Sequence, residues 1–157
     1  MEIKTNVMRI LDKNKIQYKV YDYSKEEFKN AKIIADILGC DPEQEFKTLV
    51  TIGKTKEHYV FVVPSNHELD LKKAAKTVNE KNIEMISFKD LLSTTGYIHG
   101  GCSPLGMKKQ FKTVINDSAS NFETIIFSAG KVGYSLEVAL SELPKVLDFK
   151  LVDIIKK

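Results

Sequence analysis

Cysteine is scarce. The 157-residue chain holds two, Cys40 and Cys102. They are too few and too far apart to staple a domain, and neither belongs to a Cys-x-x-Cys pair, so they read as free thiols in a reducing compartment. His58, His67 and His99 are scattered, and no spacing of His, Cys, Asp or Glu resembles a metal centre; neither metal nor cofactor is assigned. No apolar run approaches the roughly 20 residues that cross a bilayer. The opening Met1-Glu2-Ile3-Lys4-Thr5-Asn6 lacks the apolar stretch of a signal peptide. The expected address is therefore the cytoplasm, with no membrane association. Arginine is nearly missing as well: Arg9 stands alone among 24 basic residues, and the net charge is only +3. Lysine meets phosphate as a point charge, whereas the fork of arginine reads base edges. Any nucleic-acid partner would then be held by its backbone, with little reading of sequence. A genome-wide lysine bias gives the same count.

What is present fits one domain spanning residues 1–157, long enough to bury a core of its own. Apolar residues make up 43% and charged residues 29%, both ordinary for a globular chain. There is no repeat or low-complexity tract. Thr5 caps a helix with Val7, Met8 and Leu11 on one face. Ile16–Tyr23 reads as a strand. Asn30 caps a second helix with Ala31, Ile34, Ile37 and Leu38 as its stripe, stopped by Gly39. Phe46–Ile52 and His58–Val63 read as a hairpin closed around Gly53 and ended by Pro64. Asp70 caps a helix with Leu71, Ala74, Ala75 and Val78 inward and Lys72, Lys73 and Lys76 outward. A short strand Ile83–Ile86 and a helix capped by Ser87 follow. Gly96–Gly106 is mainly loop. Thr113–Asn116, Thr124–Phe127 and Ser135–Val138 are further strands, Ser141 caps a last short helix, and Leu151–Ile155 is a last strand. Hairpin-linked strands outnumber long helices, which argues against a doubly wound parallel sheet. The expectation is a mixed α/β fold: one curved, mixed or largely antiparallel, barrel-like sheet with helices outside it.

Three segments could carry chemistry. In Phe46-Lys47-Thr48-Leu49-Val50, alternation places Lys47 beside Leu49. Such a lysine either snorkels to water, the commoner outcome, or is held to meet an anion. In Gly100-Gly101-Cys102-Ser103-Pro104-Leu105-Gly106, the glycines permit close backbone approach and Pro104 stiffens the centre. The loop could aim N–H groups at a phosphate or an oxyanion, or be a plain connection. It is neither a Walker loop nor a dinucleotide fingerprint. Ser128-Ala129-Gly130-Lys131-Val132-Gly133 follows a strand and is either a binding loop or a hairpin turn. Cys102 lacks the cationic or basic setting of an activated thiolate, Ser103 sits in no Gly-x-Ser-x-Gly elbow, and no Ser/His/Asp triad is visible. The lysines at 72, 73 and 76 and at 108, 109 and 112 are either phosphate contacts or solvated faces.

Taken together, these segments resemble the YbaK family of Cys-tRNA(Pro) deacylases. Phe46-Lys47-Thr48-Leu49 is similar to its Lys-Thr-Leu strand, and Gly100 to Lys109 to its Gly-Gly-x-Ser-Pro-x-Gly-x-Lys-Lys segment. Leu69 to Lys76 resembles the helix between, and Glu123–Ile126 with Ser128–Lys131 the late strand and loop. The resemblance runs from about Thr5 to Ile155. It implies a fold related to the editing domain inserted in bacterial prolyl-tRNA synthetases. It also implies hydrolysis of the ester joining cysteine to the end of tRNA(Pro), and in some members of tRNA(Cys). The family lysine falls on Lys47, its early tyrosine on Tyr23, its central glycines on Gly100, Gly101 and Gly106, and its late loop on Ser128, Ala129 and Gly130; Ser103 and Pro104 complete the central motif. Cys102 stands where relatives carry an aliphatic residue, and Val132 where arginine is frequent.

The resemblance further suggests that the substrate supplies its own nucleophile, the cysteine thiol. Lys47, Gly100 and Gly101 then form the catalytic set, and Gly130 adds to their backbone cradle. Lys47 would hold the 3′-end phosphate or backbone, and Tyr23 would line the amino-acid pocket or bond the adenosine. The partners implied are the 3′ end of aminoacyl-tRNA and prolyl-tRNA synthetase. Three rival readings stand beside this one: a non-catalytic aminoacyl-tRNA-binding module, an editing enzyme for another amino acid such as alanine, and a general esterase.

Overall fold

The computed structural model describes residues 3–26 and 31–157. Helix α1 (Asn6–Lys13) starts where the Thr5 hydroxyl accepts the Met8 N–H at 3.3 Å, and it buries Val7, Met8 and Leu11. Strand β1 (Tyr18–Asp22) and helix α2 (Ala31–Leu38) follow; the expected cap Asn30, and the side chain of Ala31, lie outside the described residues. Strands β2 (Phe46–Gly53) and β3 (His58–Pro64) form the expected hairpin. Its turn brings Gly53 so close to Glu80 that a Cβ would sit 2.3 Å from the carboxyl carbon.

Helix α3 (Leu71–Thr77) begins at Asp70, whose carboxylate accepts the N–H groups of Lys72 and Lys73. Leu71 does not point inward as expected: it is exposed, and Leu69, just before the cap, takes the buried place. The helix spans seven residues, and its first position lies outside the stripe that Ala74 and Ala75 turn to the sheet. Strand β4 (Ile83–Met85) leads to helix α4 (Phe88–Thr95), capped by Ser87 and closed by Gly96 at φ 88°. Strands β5 (Lys112–Asn116), β6 (Thr124–Ser128), β7 (Tyr134–Ala139) and β8 (Phe149–Val152) complete the order. Two expectations near the C-terminus change. The turn at Leu140–Lys145 is a 3-10 helix that starts after Ala139 and has no side-chain cap, so Ser141 lies inside it. The last strand is β8, ending at Val152; Ile155 makes only an isolated bridge, to Leu69.

The fold is mixed α/β, but the strands form two sheets and not one curved sheet. The larger has the order β4-β2-β3-β5-β8, antiparallel from β4 to β3 and parallel from β3 to β8. The smaller, β1-β7-β6, is antiparallel throughout. Among the described residues one isolated bridge, Glu45 to Ile126, links their edges. Closure into a barrel fails because β4 pairs only with the far end of β2, leaving the near end open.

Both faces of the large sheet are covered, which explains the unbroken apolar run Val60–Val63. Val60 and Val62 join α1 and the small sheet (Ile125, Phe127, Leu136) in the main core, while Phe61 and Val63 pack on Ala74, Ala75 and Ile154. Among the described residues no helix is long and apolar enough to cross a membrane.

Candidate active site

The site begins with the hydrogen-bond parity of β2. Ser65 N–H donates to the Glu45 carbonyl at 2.7 Å, and Gly53 N–H to the Glu57 carbonyl at 2.8 Å. Odd-numbered residues of β2 therefore pair with β3, and even-numbered residues turn their backbone groups the other way. There the Val50 carbonyl accepts the Ile86 N–H at 3.1 Å. Between that bond and the bridge at Glu45, the peptide groups of Thr48 lie on an open strand edge. This edge forms one wall of a cleft of about 450 Å³, opening where the two sheets part.

Of the residues expected at a site, Tyr23, Lys47, Gly100 and Ser128 line this cleft. Lys47 is half-buried, and burial pulls its ammonium below the usual lysine range, with the charge of Glu68 opposing this in part. No ion pair engages Lys47 among the described residues. Tyr23 is buried, and its hydroxyl shares a 2.9 Å hydrogen bond with Ser135 Oγ.

The other expected residues lie behind the wall. The Gly101 N–H is spent on the Ile98 carbonyl at 3.0 Å, that of Ala129 on the Tyr134 carbonyl at 3.0 Å, and that of Gly130 on Ser128 Oγ at 3.0 Å. The backbone cradle expected at Gly101 and Gly130 is thus already occupied internally. Ser103 is fully buried, and its hydroxyl accepts the Leu105 N–H; Pro104 is buried beside it. Gly106 (φ 78°) and Gly130 (φ 91°) both pack against Tyr97, whose hydroxyl donates to the Leu105 carbonyl. Gly106 and Gly130 thus hold the two loops together around a tyrosine.

The lining residues that the sequence reading did not place at the site include Glu45, Thr48, Ser65, Phe88, His99 and Ser135. Thr48 lies inside the Lys-Thr-Leu strand, so the motif carried its signal. Glu45 follows Asp41 and Glu43 in the sequence and is only 7% exposed. Burial raises its carboxyl to about 7. Among the described residues the Glu45 Oε2 and Thr48 Oγ1 atoms are buried without a hydrogen-bond partner. At the mouth, Phe88 is 67% exposed and stacks on His99 at 4.2 Å.

Cys102 lines the cleft, but burial pushes its thiol up to about 12, so it is no thiolate at neutral pH. Among the described residues no group of three His, Cys, Asp or Glu could hold a metal ion. A wider depression of about 820 Å³ near Phe122, Leu140 and Pro144 contains none of the three motif segments. The β2 cleft, in contrast, combines a cation, an acid, an open strand edge and an aromatic rim.

Comparison with known proteins supplies the family. The family model of the aminoacyl-tRNA editing domain matches residues 25–146. A protein of Enterococcus faecalis (strain ATCC 700802 / V583), named "Putative Cys-tRNA(Pro)/Cys-tRNA(Cys) deacylase EbsC", is 48% identical over 137 residues, which is 87% of this chain and 84% of its own. Two solved structures share the fold. A "putative trans-editing enzyme for prolyl tRNA synthetase" has a TM-score of 0.82 and 19% identity, covering 99% of this chain and 100% of that one. The hypothetical protein APE2540 has a TM-score of 0.85 and 16% identity, covering 96% and 99%. The open edge of β2, the central glycine loop and the late loop all fall within the matched span, and the chain belongs to the aminoacyl-tRNA editing domain family.

Proposed function

We propose that this chain is a deacylase acting in trans, a single editing domain that takes the aminoacylated 3′ end of Cys-tRNA(Pro), and of Cys-tRNA(Cys), into the β2 cleft and hydrolyses its ester. The observation that carries this is a cleft equipped to hold an aminoacyl end but without an activated nucleophile of its own. Its lining thiol is buried and protonated, so the reaction calls for a nucleophile on the substrate.

In this mechanism the substrate's cysteine sulfur attacks its own ester carbonyl. A carbon–sulfur bond forms, the bond to the ribose oxygen breaks, and the thiol proton ends on that oxygen. The products are free tRNA and a four-membered cyclic thioester, which water opens to cysteine. The protein has to fold the aminoacyl group into the attack geometry, and alignment of this kind lowers barriers by about 7–11 kcal/mol in well-oriented intramolecular reactions. Lys47 faces the terminal phosphate, since a half-desolvated ammonium gains most from an anion. The open Thr48 edge offers hydrogen bonds to the carbonyl and the ribose. The exposed Phe88, braced by His99, offers a π face to the terminal adenine, a contact worth about 1–3 kcal/mol per base.

The test is deacylation kinetics with Cys-tRNA(Pro) and Ser-tRNA(Pro). The wild type should clear the first and leave the second nearly intact. Lys47→Ala and Phe88→Ala should each raise KM about tenfold or more. Efficient turnover of Ser-tRNA(Pro) would remove the substrate-assisted step, and full stability of Cys-tRNA(Pro) would remove the function.

A further inference from the structure

One group in the cleft has no part in that mechanism. Glu45 stands immediately before β2, and its backbone carbonyl is fixed by Ser65 N–H at 2.7 Å. Its Oε1 accepts a long hydrogen bond from Ser65 Oγ at 3.3 Å, and its Oε2 is buried without a partner among the described residues. No ion pair reaches the carboxylate among the described residues. Among the described residues the titratable groups within its field are Tyr23 and Cys40; burial raises both, Glu45 raises both further, the Ser135 hydrogen bond lowers Tyr23 in part, and neither supplies a positive charge. Lys47 lies two residues along the chain and feels the charge of Glu68 instead. A buried carboxylic acid with a free oxygen and no cation is costly to keep. It is also unsuited to phosphate, which it would repel. The cleft thus has two electrical ends, an ammonium at Lys47 and a carboxyl at Glu45.

An aminoacylated 3′ end has the matching polarity. Its phosphate is anionic, its ribose and adenine are neutral, and its single cation is the α-ammonium of the amino acid. We propose that Glu45 receives this α-ammonium group, so that the cleft accepts esters of free amino acids and turns away N-acylated ones, including peptidyl and formylated ends. The inference rests on the cleft being the aminoacyl-tRNA site. It adds a requirement which thiol chemistry does not impose, because the sulfur attacks equally well from an acid that has no amine. The ammonium donates to Oε2, the atom now without a partner, and its arrival favours the charged carboxylate. Recognition and ionisation then reinforce each other.

The test uses two stable amides of 3′-amino-3′-deoxyadenosine, one carrying cysteine and one carrying 3-mercaptopropionic acid, which keeps the thiol and lacks the amine. Binding to the wild type and to Glu45→Gln is measured by calorimetry. The cysteinyl amide should bind the wild type about ten- to a hundredfold more tightly than the deaminated one, the range of a charge-assisted hydrogen bond. Glu45→Gln should bind the two alike. Equal binding of both amides to the wild type, a preference that survives in Glu45→Gln, or no binding of either amide would overturn the inference. Deacylation of Cys-tRNA(Pro) by the wild type is measured alongside. If it proceeds while the amides bind equally, only the role of Glu45 is lost; if it fails while the preference holds, the cleft recognises aminoacyl ends without hydrolysing them.

Discussion

Glu45 and Lys47 show how two residues of one strand segment answer opposite electrostatic demands. Burial pulls the lysine down and pushes the carboxyl up to about 7, each toward its neutral form. For Glu45 this sets a pH dependence of stability. Between about pH 4.5 and 7 the unfolded chain has released the proton and the folded chain still holds it, so stability is fully present at the acid end and declines as pH rises. Glu45→Gln removes the titration. Its stability, read as Tm, should equal that of the wild type near pH 4.5 and exceed it by pH 8, the gain being on the order of 2 kcal/mol of unfolding free energy after allowance for solvent screening. Parallel Tm curves across that range would show that the carboxyl titrates normally. Lys47 was legible in the sequence because its motif is specific. Glu45 was not, because the letters Asp41, Glu43 and Glu45 look alike, and only the pairing of β2 with β3 and the bridge to Ile126 distinguish the third of them.

At the level of elements, the central and late loops are one construction. Tyr97 stands between Gly106 and Gly130, and a Cβ on either glycine would meet its ring or hydroxyl at 2.7 to 3.1 Å. Both glycines also hold positive φ, which an alanine adopts only with strain. Gly106→Ala should therefore cost about 2–4 kcal/mol of stability, read as a lower Tm, while the kcat/KM of the remaining folded protein stays within about twofold. A large loss of kcat/KM at unchanged Tm would return Gly106 to the binding surface. The sequence marked these loops correctly as special but could not say why. A glycine needed for approach to a ligand and one needed for approach to a tyrosine give the same letter. Capping was easier to read: Thr5, Asp70 and Ser87 each hold the N–H predicted for them, because a cap depends on residues only two or three positions away. The two-sheet division was not legible, since pairing between β1 and β7 joins residues more than a hundred positions apart.

For the whole molecule, scarcity of arginine and a compact cleft leave little surface for telling one tRNA from another. The mouth offers an aromatic pair and the lining offers Lys47, contacts suited to any 3′ end. If the proposed function holds, selectivity is expected to come from a second protein, and prolyl-tRNA synthetase is the one to test. Deacylation of Cys-tRNA(Pro) relative to Cys-tRNA(Cys) should rise several-fold when that enzyme is added; an unchanged ratio would assign the choice to this chain alone. The strained thioester released in such a reaction is an acylating agent, and it would form within reach of the protein's own Cys102. Burial pushes that thiol up to about 12, so it stays in the unreactive protonated form at neutral pH. A catalyst that liberates an electrophile beside its own sulfur is thereby spared suicide inactivation, and its endurance over many turnovers depends on how dry that wall stays.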